Sequence, residues 1–220
     1  MIKIMKVTLL MIFLITPLLS QNIQIHYDLG KDRKYFTSTF EMLKADDYGS
    51  TFFFTDFDFN NGGNKSMSLA YFEIARYINL PWVENLSATL QYNDGNAAGY
   101  PLGHVWLAGL SYPIDLGITT LNTDLLYRKD YLSTGSDFQI TIVWFNEFWD
   151  GKIIFTGFAD LWSAKLAGKD KKDLVIMTEP QLWVKVTKNL FLGSEVEITH
   201  NFLPTNKVEI MPTLAAKWEF

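Results

Sequence analysis

From Val208 to the last residue the chain alternates. Val208, Ile210, Leu214, Ala216, Trp218 and Phe220 fall on one side of an extended chain; Lys207, Glu209, Thr213, Lys217 and Glu219 fall on the other. Successive side chains of a strand point to opposite faces, so the pattern predicts a strand with one apolar and one polar face. The same two-residue period marks eleven earlier segments, at 22–29, 34–44, 50–60, 67–79, 84–93, 103–113, 117–129, 136–149, 152–165, 173–187 and 190–203. In 84–93, for example, Leu86, Ala88, Leu90 and Tyr92 alternate with Ser87, Thr89, Gln91 and Asn93. In 136–149, Phe138, Ile140, Ile142 and Trp144 oppose Gln139, Thr141 and Glu147.

Strands with one apolar face need a partner for that face. A soluble chain seldom ends on an exposed Trp-x-Phe, whereas a strand closing a barrel in lipid meets acyl chains along its outer face and the interface at its aromatic end. The expected fold is therefore all-β, one antiparallel transmembrane barrel of about 12 strands. The connections alternate in character too. Trp149-Asp150-Gly151-Lys152 and Thr187-Lys188-Asn189 read as tight turns, Asp-Gly being a two-residue hairpin signal, while NDGNAAGYPLG and AKLAGKDKKD read as longer polar loops. Short turns on the periplasmic side and longer loops outside are the usual asymmetry of such barrels, and an even strand count returns both termini to the periplasm. Three places strain the pattern. Segment 67–79 also fits an amphipathic helix and puts Arg76 on the lipid face. Pro180 removes a ladder donor from 173–187, and 152–165 carries both Phe155 and Phe158.

The N-terminal end agrees. Lys3 and Lys6 precede an uncharged run from Val7 to Ser20, too short to span a bilayer as a helix and laid out like a secretory signal peptide. Residues 1–20 are expected to be this signal, cut before Gln21, and 21–220 the barrel. Loss of the two lysines leaves the remaining chain more acidic than the formal −5 of the whole sequence, which argues against a nucleic-acid partner. The 7 Trp, 10 Tyr and 17 Phe suit strands and lipid-facing girdles, and zero Cys excludes a lipidated N-terminal cysteine.

Catalytic signatures are weak. His26, His104 and His200 lie on different segments without metal-ligand spacing, and NNGGNKS at 60–66 reads as a turn and not as a phosphate loop. A serine–histidine pairing on neighbouring strands, such as Ser163 with His200, is left open though nothing local recommends it, and no cofactor or metal is expected. Inward-facing acids say more. Asp160, Glu179 and Glu197 lie on three consecutive strands, and hairpin register puts Asp160 within one pair of Glu179, and Glu179 opposite Glu197. Three carboxylates at one height repel and can hold a cation. Trp162, Trp183, Tyr71 and Tyr77 share the inward parity. Carboxylates accept from hydroxyls and aromatic planes stack on flat rings, so such a lumen suits a neutral hydroxylated ring compound.

Particular stretches carry a family resemblance: YFTSTFEMLKADDYGSTFFFTDFDF (35–59), SLAYFEIARYINL (68–80), IIFTGFADLW (153–162) and PTLAAKWEF (212–220). They resemble the Tsx-like nucleoside-specific channel-forming outer-membrane proteins and, more closely, an outer-membrane family related to those channels. The closing strand also resembles the C-terminal signal read by the barrel-assembly machinery, with Phe220 as its last residue. The resemblance implies a monomeric twelve-stranded barrel in the bacterial outer membrane, with membrane lipid around it and a narrow pore that binds nucleosides. Carried over by position, the implied pore residues are Phe54, Asp56, Asp58, Glu73, Asp160 and Trp162; Glu179 and Glu197 join them by parity. This chain lacks the long polar insertions of the nucleoside channels. The expected function is a channel passing small solutes, nucleosides among them. The rivals are a lipid-modifying barrel enzyme with an outward site, and a closed structural barrel.

Overall fold

A computed structural model describes residues 19–220 except 32, 60–65, 132, 134, 166–170 and 204–206. The proposed signal segment up to residue 18 and most of the NNGGNKS turn lie outside the described residues. The strands are β1 (Leu19–Asp28), β2 (Phe36–Asp46), β3 (Gly49–Phe59), β4 (Met67–Asn79), β5 (Ser87–Ala97), β6 (Tyr100–Pro101) and β7 (Val105–Asp115). They continue as β8 (Thr120–Asp130), β9 (Asp137–Phe148), β10 (Ile153–Ala164), β11 (Asp173–Thr178), β12 (Gln181–Lys185), β13 (Leu190–His200) and β14 (Val208–Glu219). All pairings are antiparallel between chain neighbours, and β1 pairs with β14 to close the ring. β6 only extends the end of β5, and β11 and β12 share one place between β10 and β13, so the barrel has twelve strands.

Closure follows from the medium. Unpaired backbone N–H and C=O groups are costly in hydrocarbon, so a spanning sheet has no free edge. The seam runs from Asn22↔Glu219 to Asp28↔Thr213, and the Phe220 N–H donates to the Gln21 carbonyl at 3.1 Å. Each period-2 segment became a strand of the expected parity. Leu90, Leu125, Ile210 and Leu214 are exposed on the lipid face, while Thr89, Asp124, Thr213 and Lys217 are buried inside. Outward rings form a seam across five strands: Phe40–Phe53 and Phe53–Phe72 at 6.4 Å, Phe72–Tyr92 at 5.8 Å and Tyr92–Trp106 at 4.7 Å. Such diagonal aromatic contacts across strands stabilise the sheet and cover its outer face.

The places of strain resolve physically. Segment 67–79 is a strand over its whole length, not a helix, because Phe72, Ile74 and Ile78 must meet lipid while Tyr71, Glu73 and Tyr77 line the lumen. Arg76 does face outward, at the end of β4 near the β2–β3 turn, where it bonds Asp46 at 2.7 Å and Thr51 at 3.1 Å. Phe155 points out and Phe158 in, so the poor alternation of 152–165 comes from an aromatic ring inside. Pro180 splits one strand into β11 and β12. Lacking an N–H it cannot feed the ladder, and Thr178 Oγ1 and the Glu179 N–H both reach the Phe158 carbonyl, at 2.6 and 3.1 Å. Opposite it, a Cβ on Gly157 would lie 2.4 Å from the Glu179 carbonyl, so only glycine fits. Two expectations need correction. Pairing of β9 with β10 stops at Phe148↔Ile153, leaving a four-residue loop whose Trp149, Asp150 and Gly151 all have positive φ, in place of a two-residue Asp-Gly hairpin. Asn93–Ala97 extend β5, so the loop expected from Asn93 starts later, at Ala98.

Deleting Trp218–Phe220 removes the Asn22 and Ile23 partners and should abolish the heat-modifiable folded species on semi-native gels; normal folding yield would contradict this closure. Leu125→Lys, at the middle of β8 on the lipid face, should lower unfolding free energy in vesicles by about 2–4 kcal/mol, while Asn122→Lys on the inner face should cost less than about 1 kcal/mol. Equal costs from urea midpoints would mean the faces are misassigned.

Candidate functional site in the lumen

The inner face divides into two levels. Toward the end that holds the start of β1 and the end of β14, Ile154, Trp183 and Phe191 form a buried cluster with Ala215 packed on it. Lys217 lies over both rings, 5.0 Å from Trp183 and 4.9 Å from Phe191, and His26 meets the Trp183 edge at 5.9 Å. His26 is fixed by Gln24 and Thr213, at 2.8 and 3.1 Å, and is a wall residue. Side chains thus fill much of this end, as expected of a barrel small enough for its lining to meet.

From mid-height to the outer end runs a belt of carboxylates. β3 contributes Asp56 and Asp58, β4 Glu73, β10 Asp160, the β11–β12 junction Glu179, and β13 Glu197, all sharing the inward parity. Register puts Glu179 beside the Thr178↔Ile198 and Gln181↔Glu195 pairs, hence opposite Glu197, and Asp160 pairs with Met177, one same-face step from Glu179. Glu179 interacts electrostatically with Glu195, Glu197, Asp56 and Asp160, and Glu73 with Asp160 and Asp56, so the acids reach one another across the lumen. Phe54 and Trp162 also face inward. Phe54 packs on Tyr71 at 6.0 Å, and Arg128 stacks on Trp162 at 5.2 Å.

What holds these carboxylates decides what the lumen does. Thr39 donates to Asp56 at 2.5 Å, Thr37 to Asp58 at 2.6 Å, Thr141 to Asp160 at 2.5 Å and the Tyr71 hydroxyl to Glu73. Gln181 donates to Glu195 at 2.6 Å and Asn22 to Glu41 at 2.9 Å. These donors are neutral, so they orient the acids without cancelling their charge. Arg33 is different. From the connection between β1 and β2 it reaches inward to Glu197 at 2.7 Å and Asp28 at 2.9 Å. The belt is therefore acidic with a basic latch at its outer end.

Parity could have found Glu41 and Glu195, since each shares its strand's inward face with a lumenal neighbour. Arg33, in a loop without periodicity, left no such signal. The Ser163–His200 combination does not assemble. Both line one cleft on the outer face, yet the Ser163 hydroxyl donates to Asp137 at 2.8 Å, and β11 stands between β10 and β13, putting the two residues two strands, about 10 Å, apart. His104 sits at the outer rim against Tyr92 and Tyr131.

Removing Arg33 leaves Glu197 and Asp28 without their cation. Arg33→Ala should destabilise the barrel by about 2 kcal/mol in urea titrations. Adding Glu197→Gln should recover part of that loss, and additive losses would show that the pair does not couple.

No curated protein matches the chain. Among solved structures, it resembles the KdgM porin, with a TM-score of 0.52 at 10% identity, covering 91% of this chain and 99% of that one. Weaker likenesses include LpxR from Salmonella typhimurium, with a TM-score of 0.47 at 12% identity over 91% of this chain and 100% of that one. The outer membrane protein Omp33 of Acinetobacter baumannii gives 0.44 at 12% identity over 92% and 97%. At such identities the likeness is one of barrel architecture. A closed twelve-stranded barrel with a lipid-facing apolar belt places the protein in the bacterial outer membrane. Residues 20–220 match the family described as a domain of unknown function, DUF5020, and the chain belongs to that family.

Proposed function

We propose that the barrel is a narrow outer-membrane channel for small solutes, and that nucleosides are among them. The observation that carries this reading is the lumenal belt, in which carboxylates held by neutral donors, and at Glu197 by Arg33, share the inner face with aromatic rings. Asp160 beside Trp162 and Glu73 beside Tyr71 offer hydroxyl acceptors next to ring faces. A ribose donates hydroxyls to such acceptors and a base stacks on such planes. The resemblance of 35–59 and 153–162 to Tsx-like channels supports the same solute, and the likeness to a structure called a porin supports the channel reading. Twelve strands lie between barrels filled by side chains and those with wide aqueous channels, in keeping with a small conductance. On the same reading residues 1–20 are the export signal, and the strand ending at Phe220 is what the barrel-assembly machinery engages.

The test is planar-bilayer recording with purified protein. Adenosine should reduce a small single-channel current at millimolar or lower concentration, near the ~1 mM end of weak binding. Trp162→Ala should weaken that block several-fold while leaving the open current in place. A current indifferent to every nucleoside would remove the solute assignment and keep the channel. Absence of any current would favour the closed structural barrel.

A further inference from the structure

One cleft among the described residues does not open into the lumen. It lies on the outer face at the extracellular rim, where β9, β10, β11 and β13 meet, and encloses about 670 Å³. That is within the ~300–1,000 Å³ of small-molecule sites. We propose that it binds a membrane lipid carrying acyl chains and a phosphate headgroup.

Its lower wall is Phe138, Leu174 and Ile176, all exposed and all on the lipid-facing parity of their strands. This wall is continuous with the belt that meets acyl chains, so an occupant entering from the membrane brings an apolar tail. The upper wall is polar, and its free bonding capacity points to an anion. Lys172 is anchored by the Asp137 carboxylate at 2.7 Å and the Ser136 carbonyl at 2.5 Å. An ammonium has three donors, so one remains. Asn201 gives one amide hydrogen to the Leu174 carbonyl at 2.9 Å and keeps a second. His200 Nδ1 is buried at this cleft with no hydrogen-bond partner. Lys165 and Lys171, in the same connection as Lys172, are exposed and add positive charge. Asp173 also lines the cleft, and its carboxylate opposes anions on its own side. The available donors are therefore those of Lys172 and Asn201, with the unpartnered His200 Nδ1 buried in the same wall.

A phosphate on an acylated backbone satisfies both walls at once. The headgroup oxygens take the unused donors, and the chains cover Phe138, Leu174 and Ile176. Free phosphate would leave the apolar wall bare, and an uncharged lipid would leave the donors unused. Charge-assisted bonds from an ammonium to phosphate are the strong ones, so most selectivity should come from Lys172. The site is separate from the lumen and stands whether or not the barrel conducts.

Native mass spectrometry of the full barrel in detergent tests this. Phosphatidic acid should give a one-to-one adduct. Diacylglycerol with the same chains should bind about tenfold more weakly, and inorganic phosphate should not displace the lipid. Lys172→Ala should weaken the phosphatidic acid adduct about tenfold and Lys172→Arg should retain it. Lys31→Ala, exposed in the connection between β1 and β2, should change nothing. Should Lys172→Ala not yield a heat-modifiable barrel, His200→Phe replaces it, with weakening again expected. Equal adducts in the Lys172 and Lys31 variants, equal binding of diacylglycerol, or displacement by inorganic phosphate would each overturn the proposal.

Discussion

Backbone pairing in hydrocarbon is the constraint on which the rest of this structure depends. A peptide group left unpaired in lipid costs several kcal/mol, so the sheet must close, and closing it fixes which strands meet. The β1–β14 seam joins the two ends of the barrel segment, with the Phe220 N–H on the Gln21 carbonyl at the last step. Once the ring is closed, parity leaves each residue only two environments. Leucines, isoleucines and aromatic rings on one parity meet lipid, while the other parity meets its counterparts across a narrow interior. Even the irregularity at Pro180 obeys this rule, because Thr178 and Glu179 supply the Phe158 carbonyl where the proline adds no donor.

The same closure creates the electrostatics of the interior. Strands distant in sequence, such as β3 and β13, face each other, so Asp56 and Glu195 interact although they lie far apart along the chain. Their hydrogen bonds come from threonine, glutamine and asparagine on neighbouring strands and, for Glu73, from Tyr71 on its own strand; these neutral donors orient the carboxylates. Arg33 and Lys217 bound the belt, one pairing with Glu197 at the outer end and the other stacked on Trp183 and Phe191 at the inner end.

Most of the fold was legible because a period of two is robust to the identity of individual residues. The twelve segments, their faces and the opposition of Glu179 to Glu197 follow from alternation and hairpin register. The site was legible only where it inherited that regularity. Asp160, Trp162, Glu73 and the two aspartates of β3 could be placed inside by parity. Arg33 could not, because its position depends on how a connection folds back into the barrel. The four-residue turn at Trp149–Lys152 was hidden because a positive φ is uncommon for a bulky residue such as Trp149, so the residue types there do not announce it. The outer cleft involves residues of four strands and a basic connection that no local pattern groups together.

The central claim is that the inward parity lines a wetted, negatively charged lumen. The chain contains no cysteine, so single cysteines can be introduced along β13 without background. The decisive measurement is the reaction rate of each position from 194 to 198 with cationic and anionic water-soluble thiol reagents, in the barrel embedded in lipid vesicles. Cysteines at 195 and 197 should react, faster with the cationic reagent, while those at 194, 196 and 198 should resist both. Reactivity without a two-residue period, or inward positions that prefer the anionic reagent, would contradict it.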